Sequence, residues 1–444
     1  MGDFDFHDQV SNTASHNFHS FPAKFPPQLP RKLIQELTSE GETVLDPMVG
    51  SGTTAVEASL LKRKAIGFDI DPLAITIAKV KTSSIDKQVA INLMSIIKRK
   101  VIERVSKSSD GLRTEILNCF GKETSSFIDT WFLQSTQAEL FALSQEIQLI
   151  NDERMRDFFK VAFSAIIITK SGGVSLALDL GHTRPHLAKK VVDKYGNIII
   201  GNHDESYPRH STKIIRSVLP EFEKKCLANL NGLPKPLEND LEPDIRYGDS
   251  QKLPLADNSI DLIVTSPPYS SNAIDYMRAH KFSLIWFGFP IEELSDKRKD
   301  YIGGEAISNF DFEELPIYAE SIINKIQLKD HKKSLVLHRY FSEMTRVLKE
   351  MHRVLKPGRV SIIVVGNSII RDIDAEIPYC LSEIGKNVGF KVPAIGVREL
   401  DRDKRMLPVA TNKNLSSQIQ QRMHEEYLIG LLKIKRTDNE NIGT

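Results

Sequence analysis

The feature that most constrains the fold is a strand–turn–helix–strand unit at residues 43–71. Residues 43–46, TVLD, form a short apolar run typical of a buried strand. A tight Gly50-Ser51-Gly52 turn follows, then TTAVEASLLKRK with helical spacing and a second apolar run, AIGFDID. Such a unit builds a parallel sheet with its helix packed on one face. The sequence therefore predicts an α/β fold with a doubly wound, mostly parallel, Rossmann-like sheet.

The α/β pattern returns only in the last 200 or so residues of the chain. SIDLIVTS, RVSIIVVG and EYLIGLLKIK predict further strands, whereas apolar residues recur at helical intervals through most of the middle of the chain. We interpret residues 86–240 as a largely helical insertion. It would divide the catalytic domain into residues 1–85 and 241–395, with a basic segment and a final strand at 396–444.

Composition excludes several classes of protein. The chain has 444 residues with a net charge of only +1, so any polyanion would have to meet a local basic face. The three cysteines form no CxxC pair, and no apolar run approaches the roughly 20 residues that span a bilayer. The first residues carry no apolar secretory segment. We expect a cytoplasmic protein without a membrane partner. QQRMHEEYL lacks a second histidine, so no metal site is predicted.

The turn after the first strand predicts a site for a nucleoside-containing cofactor. Asp46 stands at the carboxyl end of that strand, where open α/β sheets bind ligands. Gly50 and Gly52 would let the backbone approach a ligand, and no lysine follows as in a P-loop. Asp69 ends the second strand, where an acid typically accepts hydrogen bonds from ribose hydroxyls. Asp71 is the alternative for that role.

A second group of candidate residues ends the stretch RYGDSQKLPLADNSIDLIVTSPPY. Asp249 follows a glycine in a turn, and an apolar strand then runs into Ser266, Pro267, Pro268 and Tyr269. Neither proline can donate an N–H, so the strand's hydrogen-bonded ladder ends there on a rigid backbone. Strand ends that carry acids and this motif would converge on one crevice.

These stretches resemble the S-adenosylmethionine-dependent amino-methyltransferases of DNA, which methylate the exocyclic nitrogen of cytosine or adenine. The resemblance rests on AKFPPQLPRKLIQEL, VLDPMVGSGTTAVEA, AIGFDID, GDSQKLP, TSPPY and MHRVLKPGRVSIIVVGNS. It implies a seven-stranded methyltransferase sheet, S-adenosylmethionine as cofactor and double-stranded DNA as substrate. It also implies a prokaryotic restriction–modification or defence system, with a cognate endonuclease or defence-system subunit as candidate partner.

The resemblance implies roles for individual residues. Asp46, Gly50 and Gly52 would line the methionine end of the cofactor. Asp69 would hold the ribose and Asp249 the adenine amino group. The other predicted cofactor contacts are Lys24, Phe25, Pro47, Met48 and Thr53. Relatives usually have phenylalanine after the Asp-Pro pair, where this chain has methionine, whose thioether can fill the same contact without aromatic stacking.

The TSPPY stretch indicates how the chain would activate an exocyclic amine. The amine's lone pair is delocalised into the base, so acceptors that bind its N–H groups favour a more nucleophilic geometry. Ser266 Oγ and the Pro267 carbonyl are the predicted acceptors, and Pro268 helps to fix the direction of that carbonyl. Tyr269 is predicted to stack on the extruded base. The alternative is that Tyr269 is a core aromatic below the sheet edge.

The first residue of the motif decides the predicted product. Serine is the usual form in the cytosine-N4 subset of the resembled family, whereas aspartate and asparagine mark the adenine-N6 subset. We therefore predict cytosine-N4 methylation, with adenine-N6 methylation as the alternative. An RNA base methyltransferase is disfavoured by the serine and by the lack of a recognisable RNA-binding module. A catalytically inactive nucleic-acid-binding subunit is disfavoured by the presence of Asp46, Asp69, Ser266 and Tyr269.

Three basic stretches are candidates for contact with DNA, at residues 98–107, 183–194 and 398–408. The first is also typical of a solvated helix face. The second is rich in loop residues and is our choice for contacts to phosphates or bases. Its predicted DNA contacts are Arg184, His186, Lys189 and Lys190. The insertion at 86–240 as a whole is the predicted target-recognition region.

Overall fold

The fold is taken from a computed structural model, which describes residues 4–6, 14–21, 24, 26–169, 173–178, 185–201, 211–233, 242–270, 275–400 and 425–435. The helices are α1 (Gln28–Leu37), α2 (Thr53–Leu60), α3 (Pro72–Thr82), α4 (Lys87–Lys107), α5 (Ser109–Cys119), α6 (Lys122–Trp131), α7 (Gln134–Gln148), α8 (Glu153–Ile167), α9 (Val218–Asn231), α10 (Met277–Leu284), α11 (Ile291–Lys297), α12 (Ile317–Gln327), α13 (His331–Val354) and α14 (Ile377–Val388). The strands are β1 (Thr43–Asp46), β2 (Lys64–Asp69), β3 (Lys190–Val192), β4 (Ile198–Ile200), β5 (Thr212–Ile214), β6 (Asp244–Tyr247), β7 (Ile260–Thr265), β8 (Leu355–Gly366), β9 (Ile369–Ile370), β10 (Ile373–Asp374), β11 (Phe390–Lys391), β12 (Ile395–Glu399) and β13 (Glu425–Lys433).

The predicted α/β fold is confirmed by the central sheet, in which eight strands pair in the order β11-β13-β8-β7-β1-β2-β6, with β12 also on β13. The five strands from β8 to β6 run parallel, and β13 is antiparallel to β8. β11 and β12 pair with successive parts of the same side of β13. Pro393 lies between them and cannot donate to a ladder. Together they fill one strand position, so the eight strands occupy seven positions, whereas the resemblance implied seven strands.

Both faces of the sheet are covered, which explains the apolar runs of its strands. β7 is buried at every residue. Its side chains alternate: Leu262 and Val264 join the core on the side of α1 and α2, whereas Ile263 joins the core formed with α12, α13 and α14. A strand buried on both faces has no polar alternation, so the apolar run indicates a central position in the sheet.

The chain order reverses direction across the sheet between β1 and β7. From β1 the chain moves outward through β2 to β6, and from β7 it moves the other way through β8 to β13. Ligands of open α/β sheets bind at such a switch point, beyond the carboxyl ends of the strands. The carboxyl ends of β6, β2, β1 and β7 therefore lie side by side along one edge.

The middle of the chain is mainly helical and contains a small three-stranded sheet in the order β4-β3-β5. In this small sheet β3 is antiparallel to β4 and parallel to β5. The helices of the middle of the chain share one hydrophobic core with α3, α10 and Phe18. These helices thus continue the layer that covers α3. None of the helices that the structure describes has the length and apolar character needed to cross a bilayer.

Candidate active site

A pocket with an empty volume of about 890 Å³, part of it open to solvent, lies at the carboxyl edge of the sheet. Loops that follow β1, β2, β6 and β7 supply most of its wall. The sequence-predicted residues that line it are Lys24, Asp46, Pro47, Met48, Gly50, Thr53, Asp69, Asp249, Ser266 and Pro268. Residues from five separate parts of the chain thus meet at one site.

Other predicted residues lie outside the pocket wall. Gly52 lies behind the pocket wall, packed against α3. Its φ is +83°, and a Cβ there would lie 3.0 Å from the Cα of Ala78, so both the backbone conformation and the space favour glycine. Pro267 is buried and Tyr269 is half-buried, and neither lines the pocket. Phe25 lies outside the described residues.

Asp46 links the ends of the two strands at the switch point. Its Oδ1 accepts a hydrogen bond from the hydroxyl of Thr265 at 2.7 Å and another from the N–H of Met48 at 3.2 Å. Burial raises the pKa of Asp46 to about 6, although these hydrogen bonds lower it. Thr265 directly precedes Ser266, so this contact sets the distance between the cofactor turn and the TSPPY motif.

Asp69 holds the glycine turn. One carboxylate oxygen accepts from the N–H of Gly50 at 2.8 Å and the other from the N–H of Asp71 at 2.9 Å. Burial and the negative charge of Asp71 raise the pKa of Asp69 to about 7. Each oxygen retains a lone pair that a ligand hydroxyl can use.

The carboxylate of Asp71 makes more contacts within the protein than that of Asp69. It caps α3 by accepting from the N–H groups of Leu73 and Ala74, and its other oxygen lies 2.6 Å from Nδ1 of His280. Burial alone would raise the pKa of Asp71, but the His280 imidazole and the helix donors lower it. This arrangement favours Asp69 over Asp71 as the ribose acceptor, which stays a prediction.

Aromatic residues that the sequence did not reveal form one wall of the pocket. The rings of Phe21 and Tyr276 stack with centroids 5.0 Å apart, and a Cβ on Gly50 would lie 3.5 Å from the Phe21 ring. Burial and the nearby Asp69 carboxylate raise the pKa of Tyr276, which keeps its hydroxyl neutral. Tyr301 joins the same wall. Single aromatics from distant parts of the chain have no local pattern that would identify them.

The TSPPY motif leaves β7 with its serine at the pocket and its tyrosine turned toward the sheet. Ser266 is half-buried and lines the pocket. The Tyr269 ring packs against the core beneath the sheet, and its hydroxyl donates to Oε1 of Glu426 on β13 at 2.9 Å. Stacking of Tyr269 on a base stays a prediction.

The three basic stretches differ in whether their charged side chains form ion pairs and in how much of each stretch the structure describes. On α4, Lys98 pairs with Glu223 and Lys100 with Glu146, which favours a solvated helix face for residues 98–107. Most of the stretch at 398–408 lies outside the described residues.

The stretch at 183–194 leads into the small sheet. His186 and Lys189 are exposed, Lys190 is half-buried at the start of β3, and none of the three lines the pocket. Arg184 lies outside the described residues. Among the residues that the structure describes, no three His, Cys, Asp or Glu side chains cluster in a way that could hold a metal ion.

Comparison with known proteins agrees with this geometry. A family model described as DNA methylase matches residues 5–80, which contain the glycine turn and Asp69. The chain is 25% identical over 388 residues to the Type II methyltransferase M.MvaI of Kocuria varians, covering 84% of this chain and 81% of that one. These matches support the DNA amino-methyltransferase family for this chain. A second relative, the Type II methyltransferase M.BsoBI of Geobacillus stearothermophilus, is 23% identical to this chain over 437 residues, 86% and 79% of the two chains.

A DNA amino-methyltransferase uses S-adenosylmethionine as cofactor and methylates DNA. A solved SAM-dependent methyltransferase from Methanosarcina mazei aligns with 91% of this chain at a TM-score of 0.30 and 10% identity, too remote to transfer any residue's role. The residues that line the pocket fit the cofactor by their own chemistry. Asp69 and Asp249 offer acceptors for hydroxyl and amine donors, Met48 and Ile70 offer apolar surface, and the buried carboxylate of Asp46 favours a cationic ligand.

Proposed function

We propose that this amino-methyltransferase modifies the exocyclic N4 amine of cytosine in double-stranded DNA. The observation that carries the proposal is the position of Ser266. It directly follows β7 in the wall of the cofactor pocket, and the hydroxyl of Thr265 beside it donates a hydrogen bond to Asp46. A hydroxyl at this place can accept a hydrogen bond from an amino group without removing its proton.

The order of the strands supports the roles proposed for four side chains. Since β7, β1, β2 and β6 are neighbours in that order, Ser266, Asp46, Asp69 and Asp249 follow one another along the edge. Neighbouring strands lie about 4.8 Å apart. The row thus runs from the target amine at Ser266, past the methionine end at Asp46 and the ribose at Asp69, to the adenine amino group at Asp249.

Other residues would complete the cofactor site. We assign Pro47, Met48 and Thr53, together with Gly50, to the methionine end, because they follow β1 directly in the pocket wall. Lys24 reaches the same pocket from the N-terminal segment, and its ammonium donates to the carbonyl of His16 at 2.6 Å.

The chain's own residues would activate the amine by orientation. S-adenosylmethionine supplies an electrophilic methyl group when it is bound. Ser266 Oγ and the Pro267 carbonyl would accept the two N–H hydrogens of the amine, which aligns its lone pair. Such positioning is worth up to roughly 7–11 kcal/mol of the barrier. The amine becomes acidic once methylated, so no strong base is needed.

Topology supports contact of the small sheet with DNA. α3 runs away from the carboxyl edge, and Lys79 near its far end pairs with Glu153 at the start of α8. α8 therefore returns toward the carboxyl edge, and the chain that follows it leaves on the same side as the pocket. That segment, between α8 and α9, contains β3, β4 and β5.

The net positive charge of the segment between α8 and α9 suits a polyanion. Residues 185–201 and 211–217 carry five Lys or Arg side chains and one Asp. Lys213 is buried and Arg216 pairs with Glu221, which leaves Lys189, Lys190 and Lys194 against Asp193, a net charge of +2 in a chain of +1. The β3–β4 turn presents Tyr195, 77% exposed, beneath the ammonium of Lys194. We assign the proposed phosphate and base contacts to this surface, including His186, Lys189 and Lys190.

The relatives support a proposal for the biological setting. Those named above are Type II methyltransferases, so we place this chain in a restriction–modification or defence system of a prokaryotic cytoplasm. A cognate endonuclease, the division into residues 1–85, 86–240, 241–395 and 396–444, and the TSPPY subtype stay predictions.

Mass spectrometry of nucleosides tests the product. Purified protein, S-adenosylmethionine and unmethylated mixed-sequence DNA should yield N4-methylcytosine. N6-methyladenine alone would make the adenine alternative correct. Methyl transfer to RNA but not to DNA would refute the proposed substrate. Heat stabilisation by S-adenosylmethionine without any transfer would indicate an inactive binding subunit.

A further inference from the structure

The side chain of Tyr269 is tied to a residue far away in the sequence. Its hydroxyl donates to Oε1 of Glu426, which lies 157 residues further along on β13, at 2.9 Å. Burial, the charge of Glu426 and this hydrogen bond raise the pKa of Tyr269 well above its usual value. The phenol therefore stays protonated and keeps donating to Glu426 throughout the working pH range.

Glu426 is itself held by Arg398 on the neighbouring strand. The two residues face each other across β12 and β13, and Nε of Arg398 lies 3.2 Å from the second oxygen of Glu426. Arg398 is only 6% exposed. Within the described part of the chain, Nε and Nη1 of Arg398 and Oε2 of Glu426 are buried without a hydrogen-bond partner, so Arg398 holds Glu426 by charge. A buried ion pair of this kind adds little stability over apolar residues, so stability alone does not account for it.

We propose that Glu426, held by Arg398, is a positioning residue that acts through the hydroxyl of Tyr269 on the flipped target base. The proposal rests on the proposed function, since it gives the tyrosine ring a base to support. The ring is fixed at two points, by the backbone after Pro268 and by its hydroxyl. Displacing a reacting group by about 1 Å can lower a rate on the order of 100-fold.

The opposite face of β13 provides a matched control. There the hydroxyl of Tyr427 donates to Glu425 at 2.9 Å, the same chemistry on an exposed surface. Neither residue lines the pocket. Replacing Glu425 thus tests the effect of removing a tyrosine-bonded glutamate from this strand.

The variants are Y269F, which removes only the hydroxyl, E426Q, which keeps an acceptor, and the pair E426M with R398M, which avoids leaving a buried charge unpaired. The readouts are kcat and KM on unmethylated mixed-sequence DNA, S-adenosylmethionine affinity by calorimetry, and melting temperature. We expect Y269F and the paired replacement E426M with R398M each to lower kcat by about tenfold, because each loses one hydrogen bond. Cofactor affinity should not change, E426Q should recover most of the loss, and E425M should behave as the wild type.

Combining Y269F with the paired replacement decides between positioning and a structural role. If Glu426 acts through the hydroxyl, the triple variant is no slower than the slower parent. Losses that multiply, or a Y269F variant with wild-type kcat, would overturn the inference while the wild type remains active. A wild type that transfers no methyl group to DNA would instead overturn the proposed function. If the paired replacement does not fold, Y269F and E426Q still decide the outcome.

Discussion

The carboxylate of Asp69 accepts a hydrogen bond from the backbone N–H of Gly50 at 2.8 Å, so the acid that ends β2 holds the turn that follows β1. The same carboxylate is the proposed ribose acceptor. Its pKa of about 7 places its change of charge between pH 6 and pH 8, a range in which cofactor binding can be measured. The shape and the charge of the cofactor site therefore depend on one side chain.

Cofactor binding should accordingly depend on pH. Ribose hydroxyls bond more strongly to an ionised carboxylate than to a carboxylic acid, so binding lowers the pKa of Asp69 and releases a proton below about pH 7. We expect the affinity for S-adenosylmethionine to fall as the pH is lowered from 8 to 6, by at most about tenfold per pH unit. Calorimetry in buffers of different ionisation heat measures both the affinity and the proton release.

Asp69→Asn separates this effect from the cofactor's own titration. The α-amino group of the cofactor titrates at about pH 8, and the variant retains that contribution. The variant should bind more weakly at pH 8 and lose the additional fall near pH 7. Identical pH profiles for the two proteins would exclude Asp69 as the titrating acceptor.

The residues at the strand ends were predictable because each belongs to a local pattern. A strand, a glycine turn and a helix identify Asp46 and Gly50 within a few residues of sequence, and an apolar run followed by two prolines identifies Ser266. Strand ends of a parallel sheet meet at one edge, so their convergence also followed from the sequence. These predictions needed no knowledge of long-range pairing.

Long-range contacts were not predictable in this way. Phe21 and Tyr276 stack across 255 positions of the chain, and Tyr269 reaches Glu426 only because β13 pairs antiparallel with β8. A single aromatic or glutamate carries no periodic signal. The shared core of the middle helices with α3 was likewise invisible, because helical periodicity gives the buried face but not what covers it.

Ser266→Ala should lower turnover and leave cofactor binding unchanged. The variant loses one acceptor for the amine, which corresponds to about a tenfold slower kcat. Rates of labelled-methyl transfer to DNA and calorimetry with S-adenosylmethionine measure the two quantities. Ser270→Ala is the matched control, because Ser270 is buried nearby and its hydroxyl has no partner among the described residues. Equal losses of turnover and cofactor affinity would indicate that Ser266 is structural.

Gly52→Ala should destabilise the fold more than Gly41→Ala. Both glycines have φ near +80°, so alanine costs about 1–2 kcal/mol of unfolding free energy at either position. At Gly52 the new Cβ would also lie 3.0 Å from Ala78, whereas nothing lies within 4 Å at Gly41. That crowding adds about 1–3 kcal/mol. Chemical denaturation measures the difference, and equal losses would show that α2 and α3 separate without cost.

Replacing Lys189 and Lys190 by alanine should weaken DNA binding in a salt-dependent way. Each lysine that contacts a phosphate releases about one counterion, so losing both should reduce the slope of log Kd against log salt by about 2. Fluorescence anisotropy with a mixed-sequence duplex measures the slope. The effect should be similar for all sequences, because phosphate contacts carry no base information.

Lys64 and Lys87 provide the matched control for this prediction. Both are exposed, and they lie at the start of β2 and just beyond the far end of α3, away from the pocket. Replacing them removes the same total charge from the edge of the sheet opposite the pocket, where the parallel strands begin. The control should leave the slope nearly unchanged. If both double variants reduce the slope equally, only overall charge matters and the small sheet is not the DNA-binding surface.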